Sequence, residues 1–216
     1  MPVPWNWRRR GGDGAFTGEV LAARSHRAIH LGLPDRAVEL ARAARHAACD
    51  AGVPVLAAEA WELEANGLAL TGDRKACALS LAECERQFAL ADADGTPSWL
   101  GYFDPAYLAA RIAHTLRDLG DWEAARDHAV LASALAPGMA RARVFNTLVL
   151  ASAWVADDRD AAIGAGREAL ALTAGMQSGR VAVYARDLRR RLRRRHGSGD
   201  AAVAEFDEEC RELLGS

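Results

Sequence analysis

Residues 104–118, "DPAYLAARIAHTLRD", bring Asp104, Tyr107, His114 and Asp118 together. Carboxylate, phenol and imidazole are the groups from which general acid and base catalysis is assembled. On a helix, spacings of seven and four project Tyr107, His114 and Asp118 to one side, while Asp104 before Pro105 has the form of an N-cap. A catalytic role would need a nucleophile or a bound phosphate beside them. The chain has no nucleophile elbow, P-loop or dinucleotide fingerprint, because its glycines stand in the N-terminal stretch and at helix ends. The set is therefore expected to be structural, solvated or a contact surface, and no enzyme activity is expected. His26 and His30, one turn apart, could share a metal ion, but no third ligand and no HExxH arrangement accompany them. Neither metal nor cofactor is expected. Cys49, Cys77, Cys84 and Cys210 form no CxxC pair and sit in apolar helical patterns, which suggests reduced, buried thiols.

The second chemically loaded stretch is "RDLRRRLRRRH", residues 186–196, with seven arginines in eleven positions. Overall charge gives it little help: the formal net charge is -2, so polyanion affinity would have to be local, with Arg190, Arg193 and Arg194 as the contact residues. Around the run, Val181, Tyr184, Ala185, Leu188 and Leu192 form one apolar stripe, which marks a docked helix with arginine on its outer perimeter. The following "GDAAVAEFDEECRELL" is acidic and has its own stripe of Val203, Phe206, Cys210 and Leu213. A short "HGSG" link lets the acidic helix fold back beside the basic one. Direct nucleic-acid contact through the Arg-rich helix 186–195 is the alternative reading.

The elements that position these groups are helices. Expected spans are 18–31, 34–50, 54–70, 73–91, 104–119, 121–136, 140–156, 159–174, 179–195 and 200–213. Pro34, Pro54 and Pro105 fall at first-turn positions, Asp200 has a cap position, and Gly52, Gly72, Gly120 and Gly197 stand where helices stop. Strand signals are nearly absent. Residues 1–17 carry Pro, Gly, Trp5 and Trp7 with no period and are expected to be a disordered tail before a helical domain over 18–214. No stretch reaches the roughly 18 apolar residues of a membrane helix, so no membrane contact and a cytoplasmic location are expected. In the loop after residue 91, Trp99, Tyr102 and Phe103 form either an exposed patch or a staple that holds the loop to the core.

Four segments repeat a pattern: "LGLPDRAVELARAA", "LTGDRKACALSLAEC", "LGDWEAARDHAVLASALAP" and "ADDRDAAIGAGREAL". After a short turn each places two small residues seven apart, at Ala37 and Ala44, Cys77 and Cys84, Ala125 and Ala132, Ala162 and Ala169. Seven residues is close to two helical turns, so both small side chains face the same neighbour and let it approach. Helix pairs built this way stack into a solenoid.

These residues resemble the tetratricopeptide repeat, a 34-residue helix-turn-helix unit. Ala113, Gly120, Trp122, Ala125, Ala132 and Pro137 match it best, and Trp61 falls at an aromatic position of the pattern. With "SWLGYFDPAYLAARIAHTLRDLG", "RARVFNTLVLASAW" and "SGRVAVYARDLRRRL", residues 20–214 are similar to the C-terminal repeat region of actinobacterial helix-turn-helix transcriptional regulators. In that family a DNA-binding domain precedes the repeats; with seventeen residues before the first helix, none is expected in this chain. The resemblance implies an all-α, tetratricopeptide-like solenoid of about four helix pairs plus a C-terminal capping pair. It implies a regulatory module that binds a protein or peptide in its concave groove, with a small-molecule signal or a homodimer as further possibilities. The groove positions it implies are Glu59, Glu62, Asn66, Tyr107, His114, Arg117, Thr147 and Trp154.

Overall fold

The computed structural model describes residues 12–91, 96–135, 137–173 and 178–214. Among them the regular structure is entirely helical. The helices are α1 (Gly12–His30), α2 (Pro34–Asp50), α3 (Pro54–Thr71), α4 (Arg74–Ala89), α5 (Pro105–Leu119), α6 (Trp122–Leu131), α7 (Ala140–Trp154), α8 (Arg159–Leu172), α9 (Gly179–His196) and α10 (Ala201–Leu214). Short 3-10 turns lie at Ser98–Leu100, Ala132–Ala134 and Pro137–Met139. All ten expected helices are present, and α2 has the expected ends. The tail boundary is corrected: α1 begins at Gly12, so residues 12–17 are helical, while 1–11 lie outside the described residues.

Terminal chemistry sets the boundaries. Pro34, Pro54 and Pro105 occupy first helical positions, where a missing N–H costs nothing. Gly72 and Gly120 close their helices with φ of +80° and +79°, the left-handed region that a side chain disfavours. The next residue but one in the Gly72 and Gly120 turns begins a new helix under an aspartate cap: Asp73 accepts from the Ala76 N–H and Asp121 from the Ala124 N–H. Asp158 accepts from the Ala161 N–H in the same way without a preceding glycine. Each cap satisfies one of the orphan donors of a helix start. Asp121→Ala should therefore lower stability by about 1 kcal/mol, read as a shift of the urea midpoint, and an unchanged midpoint would show that the cap is dispensable.

Contacts divide the chain into two compact units, 1–104 and 105–216, where the sequence suggested one repeat domain. In the first unit α2 packs on α1 and α3, α3 on α4, and α1 also touches α3. In the second, α6 packs between α5 and α7, α8 packs on α7, α9 and α10, and α7 touches both α5 and α9. The repeated small residues are the seats of this packing. Ala37, Ala44, Cys77, Cys84, Ala125, Ala132, Ala162 and Ala169 are all 0% exposed. Gly67 takes the principle further, since a Cβ there would stand 2.7 Å from Val38 Cγ2 and 3.2 Å from the Pro34 carbonyl. Cys49, expected to be buried, is exposed near the end of α2. No helix among the described residues is long and apolar enough to cross a membrane.

Candidate functional site

In the first unit, the groove positions on α3 are drawn into the protein's own contacts. Glu62 and Asn66 are buried. Glu59 is half-buried and accepts from the Tyr102 hydroxyl at 3.0 and 3.2 Å. That bond, the burial of Leu100 and Phe103, and the Phe88 and Phe103 rings 6.0 Å apart staple the loop to the helices. Only Trp99 of the loop's aromatic trio is exposed, at 45%. The stapled reading therefore holds for Tyr102 and Phe103.

Glu64 carried no signal in the sequence. This buried carboxylate accepts from Arg42 Nε at 2.7 Å and lies 3.6 Å from Arg45 Nε, while the Arg45 guanidinium stacks 3.8 Å from the centre of the Trp61 ring. Two cations thus answer one desolvated carboxylate, with the Trp61 face as a third favourable contact for Arg45. The His26 and His30 rings lie 4.3 Å apart, and no set of three metal-ligating side chains occurs among the described residues.

In the second unit three successive odd-numbered helices converge. His114 on α5, Phe145 on α7 and Tyr184 on α9 form a buried aromatic triad, with ring centres 6.2, 5.7 and 5.3 Å apart in edge-to-face poses. Such poses set the positive edge of one ring on the negative face of another. His114 Nδ1 is 3.2 Å from the Tyr184 hydroxyl, which also accepts from Arg180 at 3.4 Å.

Guanidinium groups roof this triad. Arg117 stacks 3.8 Å over Tyr184, pairs with Asp118 at 2.7 Å and reaches Asp187 at 3.6 Å. Arg180 lies 4.4 Å over Phe145. Two predicted groove residues, His114 and Arg117, are therefore brought together, but within a filled cluster. Tyr107 is half-buried against Ala109, Ala110, Ala132 and Leu135. Thr147 returns its hydroxyl to the Arg143 carbonyl of its own helix at 2.9 Å, and Trp154 is covered by Arg126 at 4.7 Å. The sequence reading missed Phe145, Arg180 and Tyr184 as members; Tyr184 was legible only as part of the apolar stripe.

The cluster offers recognition chemistry. His114 is engaged by the Tyr184 phenol. The thiols of Cys77 and Cys210 are pushed up by burial, to about 11 and about 12, so they stay protonated and poorly nucleophilic at neutral pH. Guanidinium edges held on ring faces keep donors in fixed directions, which suits an acceptor-rich ligand.

The arginine helix divides into buried and exposed members. Arg189 is buried and binds Asp207 of α10 at 2.6 Å, so this arginine lies off the exposed perimeter that the sequence pattern suggested for the run. Arg191 lies 3.4 Å over the Trp122 ring, and burial pushes its pKa down. Arg193 reaches the same Asp207 at 3.6 Å, and Arg211 pairs with it from α10. Of the remaining contact candidates, exposed Arg190 pairs with Asp187, and Arg194 meets no charge of opposite sign among the described residues. The acidic helix does fold beside the basic one, and it serves α8 as well: Arg167 holds Glu209 at 2.7 Å and Arg159 holds Asp200.

No family model matches this chain, and neither a curated protein nor a solved structure matches it.

Proposed function

We propose that this chain is a non-catalytic, tetratricopeptide-like solenoid that binds a protein or peptide partner in a groove, as a cytoplasmic sensor or scaffold in transcriptional regulation. The reading rests first on repetition: equivalent small residues are buried in four successive helix pairs, and in three of those pairs the second helix opens under an aspartate cap. One observation carries the binding role. His114, Arg117, Phe145, Arg180 and Tyr184 come from three consecutive odd helices, the elements whose shared face would form the groove of such a repeat. The same residues suit recognition, because the imidazole is engaged by the Tyr184 phenol and guanidinium groups stack on the rings. A small molecule could serve as the signal through the same guanidinium donors. A duplex-binding role has less support, because Arg190 is engaged by Asp187 and Arg193 by Asp207.

The test is comparative capture of partners by the full chain and by a Tyr107→Ala/Trp154→Ala variant, both shown folded by circular dichroism. The groove predicts loss of specific partners by the variant. Equal recovery by both proteins would overturn it.

A further inference from the structure

The outward faces of α9 and α10 are oppositely charged stripes whose heights match. On α9, Val183, Arg186, Arg190 and Arg194 are exposed at spacings of three, four and four, which lie on one side of a helix. On α10, Glu205, Glu208 and Glu212 are exposed at spacings of three and four. Much of this charge is not neutralised within the chain. Arg190 pairs with Asp187 of its own helix, Arg186 meets only the Ala182 carbonyl among the described residues, and Arg194 and Glu212 meet no opposite charge there. The partners of Glu205 and Glu208 are the half-exposed Arg167, which lies closer to Glu209, and Arg211 on the same helix.

The stripes do not neutralise each other in one chain, because both face away from the core. The buried Arg189 to Asp207 contact fixes the antiparallel register of the two helices. At about 1.5 Å of rise per residue, Arg186 then stands level with Cys210, about 3 Å along the axis from both Glu208 and Glu212. Arg190 stands level with Phe206, about 1.5 Å from Glu205 and about 3 Å from Glu208. A two-fold axis parallel to the helix pair preserves these heights while laying α9 of one copy on α10 of another. The same operation lays α10 on α9, so both stripes are used twice.

We propose that the outer face of α9 and α10 is a self-association surface, on which the Arg186, Arg190 and Arg194 stripe of one copy meets the Glu205, Glu208 and Glu212 stripe of a second. Exposed ion pairs are individually weak, so the dimer is loose and strongly salt-dependent. Such an equilibrium ties occupancy to local protein concentration, which a regulatory module can exploit.

Sedimentation equilibrium of the full chain tests this directly. The dimer forms at about 10 mM salt, where charges are felt over about 30 Å, and weakens by about tenfold or more at 1 M, where that range falls to about 3 Å. Arg186→Glu/Arg190→Glu and Glu208→Lys/Glu212→Lys are each monomeric at low salt, because each sets like charges against each other twice. Mixed in equal amounts the two variants recover the dimer, since one interface is charge-swapped and the other is native. Thermal melts of each variant establish that it is folded. A wild-type chain that stays monomeric at low salt, variants that dimerise as the wild type does, or a mixture that stays monomeric would each overturn the proposal. So would retardation of a duplex DNA probe by a wild-type chain that remains monomeric, which would assign the arginine stripe to nucleic acid.

Discussion

Asp207→Ala should destabilise the second unit by about 3 to 5 kcal/mol, the range for removing one partner of a buried ion pair. Asp207 is the point where α9 and α10 are joined. Arg189, itself buried, donates from Nε at 2.6 Å, and Arg193 and Arg211 crowd the other carboxylate oxygen. Without the carboxylate, Arg189 is left desolvated with no counter-charge, whereas Arg193 and Arg211 can turn to water. The cost should therefore fall towards the lower end of the range. Replacing both buried partners, as in Arg189→Met/Asp207→Leu, should recover most of the loss, because apolar residues of similar volume cost no desolvation. Urea midpoints measure all three proteins, and a loss below about 0.5 kcal/mol for Asp207→Ala, the scale of an exposed pair, would show that the ion pair is not structural.

Acid should reproduce part of this effect. The hydrogen bond from Arg189, together with the charges of Arg189, Arg193 and Arg211, holds the Asp207 carboxyl below its ordinary range. The hydrogen bond from Arg167 lowers Glu209, and the Val203 N–H followed by Arg159 lowers Asp200. A carboxyl depressed in the folded state binds fewer protons there than when unfolded. Its contribution is therefore complete above the unfolded value near 4 and disappears as pH falls through the lower folded value. The unfolding midpoint should be flat from neutral pH to about 5 and fall below about 4, with a shallower fall in the Arg189→Met/Asp207→Leu protein.

Terminal signals made the helices legible. Proline at first positions and glycine at closing positions act through a residue's own backbone, so Pro34, Gly72 and Gly120 mark ends without knowledge of neighbours. The small-residue repeat was legible for a related reason, because its period reports a helix face even before the partner helix is known. The start of α1 was not. Its "GDGAFTG" opening has poor helix propensity, and it is helical where Gly18 packs so closely that a Cβ would stand 2.9 Å from Leu56 Cδ2 and 3.3 Å from the Ala44 carbonyl. Tertiary packing overrides propensity there.

The site was less legible than the fold. His114 was singled out by its spacing on α5 and Arg117 by the repeat resemblance, yet their contacts come from Phe145 on α7 and Tyr184 on α9, tens of residues away. Which side chain meets which across helices depends on rotation about each axis, and one residue of register error turns a side chain by about 100°. Arg189 shows the same limit: one arginine among seven is buried, and only the position of Asp207 on the next helix singles it out.

Gly166 and Phe206 provide the sharpest test of packing in the second unit, because the sign of one substitution should depend on the other. Phe206 on α10 is 1% exposed, and its ring lies against the backbone of α8 at Gly166. A Cβ at Gly166 would stand 2.6 Å from Phe206 Cζ, closer than two such atoms can sit, and 3.2 Å from Leu188 Cδ2, a tight contact that Leu188 must yield to. The chain thus keeps a glycine in mid-helix, at a cost of about 1 kcal/mol relative to alanine, so that the ring can reach the helix surface. Phe206→Ala should cost about 3 to 5 kcal/mol through lost burial and the cavity left behind. Gly166→Ala alone should cost about 1 to 3 kcal/mol by overpacking, reduced by the helix-propensity gain. In the Phe206→Ala background only the Leu188 contact remains and Leu188 can shift into the space the ring leaves, so Gly166→Ala should stabilise the protein by up to about 1 kcal/mol. The double-mutant cycle should therefore report a coupling of about 1 to 3 kcal/mol. Additive effects would mean that the ring does not occupy the notch, and with it would fall the close seating of α10 on α8.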